Sequence, residues 1–199
     1  MNRTLHCHCG KVQGQLKHIE ASVRLVCYCK DCQAFAHYLG QAGSMLDAQG
    51  GSDILVSHPQ QVEFASGAEA IACMSLSENG MLRWFASCCN TPIGNTSRSH
   101  KLAYVGLSSA CLADPSSLAS EVGPVRLRSC TQAAKGKVAS AGLAALPVML
   151  GFGVSLLRAR IAGSYRQNPF FKAGTAEPIA TPTVLAKEER ERLRAMPCP

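Results

Sequence analysis

The chain has 199 residues, of which 47% are hydrophobic and 17% charged, with a formal net charge of +7. This excludes wholesale disorder and collagen-like or coiled-coil composition, and the length suits one domain with an extension or two small ones. The charge is uneven: residues 1–125 hold eight Lys/Arg against nine Asp/Glu, and residues 126–199 hold twelve against four. The basic character belongs to the C-terminal part, and no nucleic-acid partner is expected.

In chain order, the first feature is the knot Cys7-His8-Cys9-Gly10. Gly10 suits a tight turn at positive φ. Val12, Gly14 and Leu16 alternate with polar residues, a strand signal. A second strand, 22–26, runs into Cys27-Tyr28-Cys29-Lys30-Asp31-Cys32. A short helix follows over 31–40, for which Asp31 is the expected cap, and His37 on it has a solvent or core role. After a Gly-Gly turn at 50–51, strands are expected at 53–57, 61–65, 70–76 and 81–86, separated by turn residues. The third knot, Cys88-Cys89, comes next, then a strand at 103–107 and a turn or helix start at 114–117.

The spacing predicts a mainly β domain over 1–125 and a mainly helical basic extension over 126–199. Residues 138–157 carry no charge, about the length that crosses a bilayer. The expected arrangement is a packed helix, or a pair of short helices broken near Pro147 or at the glycines, on the β domain or on another subunit. Membrane contact through 138–157 and a homodimer interface are the alternatives. Residues 168–171 and 181–184 read as an ordered irregular arm, and 187–195 as a solvated, charge-paired helix.

Eleven cysteines with no apolar leader in MNRTLHCHCG point to a reducing, cytoplasmic setting, where clustered thiols are more often metal ligands than disulfides. Zinc takes four soft donors at tetrahedral angles. The three knots, Cys7/Cys9, Cys27/Cys29/Cys32 and Cys88/Cys89, are the candidate ligands for one or two zinc ions. Cys73, Cys111 and Cys130 read as core or incidental thiols, and Cys198 as incidental.

The segments C-H-C-G-K-V, C-Y-C-K-D-C-Q and R-W-F-A-S-C-C-N-T-P, in this order over about residues 5–110, resemble the glutathione-dependent formaldehyde-activating enzyme (GFA) family, also called centromere protein V-like. The resemblance implies a β-tent of small antiparallel sheets. It further implies a structural zinc on Cys7, Cys9 and Cys89, and a more open zinc on Cys27, Cys29 and Cys32, the latter three being the catalytic residues. The implied activity is that of a carbon–sulfur lyase joining formaldehyde to glutathione as S-(hydroxymethyl)glutathione, with a small thiol or aldehyde adduct as partner. The alternative is a non-catalytic zinc module that binds glutathione or a protein. The chain departs from the family's third motif: Ala86 stands where a cysteine is expected and Asn90 where a glycine is. Either Cys88 completes a Cys7/Cys9/Cys88/Cys89 site from a rearranged turn, with Asn90 providing an αL bend, or the first site is incomplete. His6 and His8 are expected at the edge of a strand or turn, a donor role there being the alternative, and Lys30 and Arg83 are expected as surface charges, contacts for glutathione carboxylates being the alternative.

Overall fold

A computed structural model describes residues 1–198. The strands are β1 (Arg3–His6), β2 (Gln13–Leu16), β3 (Val23–Cys27), β4 (Ser52–Ser57), β5 (Val62–Ser66), β6 (Ile71–Ser75), β7 (Leu82–Ala86), β8 (Thr91–Thr96), β9 (Val105–Ser108), β10 (Leu127–Ser129) and β11 (Thr183–Val184). The helices are α1 (Lys30–Tyr38), α2 (Ala42–Met45), α3 (Leu118–Glu121), α4 (Ala145–Ile161) and α5 (Lys187–Ala195). The architecture is mainly β, as the strand spacing predicts.

Three strands form a small antiparallel sheet in the order β1-β2-β5. Eight form a larger one in the order β10-β3-β4-β9-β8-β7-β6-β11. Within the larger sheet the six inner strands are antiparallel, whereas β10 lies parallel to β3 and β11 parallel to β6. Parallel neighbours need long connections, and the chain beyond 126 supplies them from a distance. That segment is therefore laced onto both edges of the sheet.

The main core lies between the two sheets and contains Leu5, Leu16, Leu55, Trp84, Ile93 and Leu107. Trp84 is fully buried and donates its Nε1–H to Thr96 Oγ1 at 3.0 Å. Phe170, from the irregular arm, is also fully buried, with its ring 5.2 Å from that of Trp84. Truncating such an aromatic to alanine costs about 3–5 kcal/mol, so the arm is part of the fold. Cys73 and Cys111 are buried in this core, as expected.

Of the two arrangements expected around Pro147 the single helix is the one formed, and two other expectations change. α4 is one continuous helix, preceded by a 3₁₀ turn at Gly142–Ala144. Pro147 does not break it, because it sits in the first turn, where no backbone N–H donor is required. Residues 183–184 are a short strand rather than irregular chain, because they find a sheet edge. α5 is not wholly solvated: Leu193 is buried against Phe35 and Leu39, and Arg194 bonds Asp31. One apolar residue on a charged helix was enough to seat that face on α1.

Candidate metal centres

The first centre is built by two facing hairpin turns. The β1–β2 turn is closed by Gly10 N–H to Cys7 O at 2.9 Å and Cys7 N–H to Val12 O at 3.0 Å, with Gly10 at φ 76°. It presents Cys7 and Cys9. The β7–β8 turn presents Cys88 and Cys89, and Asn90 at φ 55° supplies the αL bend that lets adjacent cysteines aim at one point. Cys89 N–H donates to Ala86 O at 3.3 Å.

All four sulfurs lie within 4.8 Å of one another. The Cys9–Cys88 separation is 3.2 Å, Cys7–Cys9 is 3.5 Å, and Cys7–Cys88 and Cys88–Cys89 are each 3.8 Å. Four sulfurs about 2.3 Å from a zinc stand about 3.8 Å apart, so this set fits a tetrahedral ion with small adjustments. The separations are also too long for disulfides. Val12 N–H donates to Cys7 Sγ at 3.2 Å, and Thr91 Oγ1 lies 3.1 Å from Cys89 Sγ. Such donors stabilise thiolate charge. Hydrogen bonding with Cys9, and then burial, pushes Cys88 up to about 12. Burial raises Cys89 too, but the Thr91 hydroxyl and nearby backbone groups outweigh it and bring Cys89 down to about 6. Cys88 thus joins the cluster in place of the residue at Ala86. His6 and His8 do not belong to it.

The second centre sits where β3 runs into α1. Cys27 ends the strand, Cys29 is the N-cap of the helix and Cys32 lies in its first turn. Their sulfurs also lie within 4.8 Å of one another. The cap is Cys29, not Asp31: Cys32 N–H donates to Cys29 Sγ at 3.4 Å. Asp31 points instead to Arg194 Nε at 2.9 Å. A helix N-terminus favours thiolates. Hydrogen bonds from Cys29, and then Cys32, hold Cys27 down at about 2, and the same contacts with Cys27 and Cys29 push Cys32 up.

Beside them Arg83, on β7, is only 5% exposed, with Nη1 3.9 Å from Cys32 Sγ and its guanidinium 5.4 Å from the centre of the Phe35 ring. Burial lowers the Arg83 pKa, but its interaction with the Cys32 sulfur outweighs it and the net shift is upward. No carboxylate forms a salt bridge with this cation among the described residues. A buried guanidinium without an anion is costly, and the cysteine cluster is the anion at hand. The cleft there has about 20 Å³ of free space, room for about one water, and is lined by Cys32, Arg83, Asn95, Ser52 and Ser108. Gly106 keeps it open, since a Cβ there would fall 2.7 Å from Tyr104 Oη and 3.1 Å from Asn95 Oδ1.

The remaining candidates divide. Lys30 is exposed and outside both clusters. His37 has its Nε2 buried without a hydrogen-bond partner, and burial lowers its pKa. Cys130 is not a core thiol: it is exposed, sits at φ 56° and follows Ser129, which pairs with Cys27. Burial, and then Cys27, raises the Cys130 pKa. Asn95, Ser52 and Ser108 carry no local signal, because strands distant in sequence bring them to the cleft.

A family model described as "Family of unknown function (DUF6151)" matches residues 2–181. No curated protein matches. A solved structure of a Rhodobacter sphaeroides protein, a structural-genomics target, is similar at 18% identity and a TM-score of 0.39. The similarity covers 57% of this chain and 89% of that one.

Proposed function

This chain belongs to the DUF6151 family, a family of unknown function, and we propose that it is a two-zinc protein acting on a thiol–aldehyde adduct of the S-(hydroxymethyl)glutathione type. The observation that carries the reading is the asymmetry between the two clusters. One offers four sulfurs, a closed set of the structural kind. The other offers three sulfurs beside a buried cation and a water-sized cleft. Three protein ligands plus one open position is the donor pattern of catalytic zinc.

A zinc ion held by Cys27, Cys29 and Cys32 would supply Lewis acidity and a docking point for a substrate thiol. The chain's own groups do the rest. Arg83 places a fixed positive charge beside the cleft, where the carbonyl oxygen gains negative charge. Asn95 and the serines are positioned to accept or donate hydrogen bonds around it. Phe35 shields the guanidinium from water. In the reaction the thiol sulfur bonds to the aldehyde carbon, the carbon–oxygen π bond opens, and the thiol proton ends on the new hydroxyl. The free space suits a one-carbon aldehyde, and the remainder of a glutathione molecule would lie outside the cleft.

The test uses the purified full chain: zinc per chain by elemental analysis, and adduct formation from glutathione and formaldehyde followed by NMR. The expected result is two zinc ions and acceleration over the uncatalysed reaction. Cys29→Ala should lose one zinc and the acceleration together. A protein that binds both metals without accelerating adduct formation refutes the enzymatic reading and leaves the non-catalytic zinc module.

A further inference from the structure

We propose that α4 docks the protein flat on an anionic lipid surface. Leu146, Leu150, Val154, Leu157 and Ile161 recur at spacings of three and four and cover about a quarter of the helix circumference. Leu143 continues the stripe in the preceding 3₁₀ turn. These residues, with Met149, are 41–82% exposed. The helical stretch Gly142–Ile161 has a mean hydropathy of 1.6 over its most apolar 18 residues, and only 6% of that window is buried. Contiguous exposed apolar surface of this kind marks a site of contact with a partner or a membrane.

The opposite face of the same helix is fixed to the β domain. Phe152 stacks on His58 with ring centres 5.8 Å apart and meets Tyr104 edge-on at 6.2 Å. Ser155 Oγ lies 3.1 Å from His58 Nε2, and Ala159 is buried. α4 therefore lies along the protein with its leucines outward, the posture of a helix in the plane of a membrane rather than across it.

Charge identifies the occupant. Between Glu121 and Glu177 the sequence has no acidic residue, while Arg126, Arg128, Lys135, Lys137, Arg158, Arg160, Arg166 and Lys172 are all basic. At 100° per residue, Arg158 and Arg160 border the stripe on opposite sides. Their stems can lie along the apolar strip while the guanidinium groups reach outward. A second copy of α4 laid on the first would cover the leucines but offer Arg158 and Arg160 no carboxylate, since α4 carries none. Anionic headgroups above an acyl layer meet both the leucines and the arginines.

The experiment is flotation of the full chain with vesicles of phosphatidylcholine alone and with an equal mixture of phosphatidylcholine and phosphatidylglycerol. Binding is expected to the mixed vesicles only and to weaken with added salt. The double variant Leu150→Gln/Leu157→Gln should bind about tenfold or more weakly, and Arg158→Gln/Arg160→Gln should lose the preference for anionic lipid. All four positions face solvent, so folding and metal content are readable controls. Failure to float with either vesicle overturns the proposal. So does a concentration-dependent dimer that Leu150→Gln/Leu157→Gln returns to monomer, which would assign the stripe to a second copy.

Discussion

Replacing Arg83 with methionine separates two energies that the structure sets against each other. The side chain is nearly fully buried, and its one hydrogen-bond partner among the described residues is Cys32 Sγ, 3.9 Å away. With a divalent ion on three thiolates, the centre carries one net negative charge. At 3.9 Å and an effective dielectric of about 20, its attraction to the guanidinium is up to about 4 kcal/mol. Methionine removes that attraction and keeps much of the volume. Metal affinity at the second centre should then fall by about 10²–10³-fold, somewhat less than the full Coulomb figure because charge is spread over three sulfurs. The metal-free protein should behave in the opposite sense. It no longer has to hold a desolvated cation, so its urea midpoint should stay level or rise. Zinc competition against a chromophoric chelator gives the first quantity and denaturation in chelator gives the second. An Arg83→Met protein that holds both zinc ions within about threefold of the wild-type affinity would refute the assignment of Arg83 as the counter-charge.

Cys88→Ser should lose one zinc per chain and a large part of the thermal stability, because structural zinc contributes about 10–16 kcal/mol in small domains; elemental analysis and a melting curve decide it. Gly67 sits at φ 72°, and a Cβ there would fall 2.2 Å from Lys11 O in the turn that carries Cys7 and Cys9. Gly67→Ala should therefore cost at least about 2 kcal/mol in chemical denaturation. His37 has its pKa lowered by burial, so the unfolded chain binds its proton more readily than the folded one. Its contribution is full above about pH 6.5 and is lost as the pH falls below that. Urea midpoints for the wild type should accordingly drop more between neutral and acidic pH than those for His37→Gln, and equal drops would exclude the effect.

The sequence made the ligands legible because each pair or triplet is local. Cys7 and Cys9 lie in one turn, Cys27 to Cys32 in one strand–helix junction, and Cys88 and Cys89 in one hairpin. Asn90 announced the bend that brings in Cys88, since few residues accept that backbone conformation without strain. The strands at 53–86 and 103–107 were visible because runs of five to seven residues are set apart by turn residues, whereas β8 (Thr91–Thr96), buried throughout, was not among those expected. What stayed hidden depends on contacts between distant residues. Nothing near Ser129 shows that it will pair with Cys27, so Cys130 could not be placed beside the second cluster. Nothing near Phe170 shows that its ring will lie against Trp84. α4 reads as buried by composition, yet only its Phe152 side found a surface.

The lacing of α5 onto α1 bears on how the protein matures during synthesis. Cys29 and Cys32 stand at the start of a helix whose far side is held by Leu193 and whose Asp31 is held by Arg194. All the sulfurs of the first centre have been synthesised by residue 89, whereas the brace on the second centre is made about a hundred residues later. The four-sulfur cluster is thus complete early in synthesis, and the three-sulfur one gains its final support only after α5 has been made.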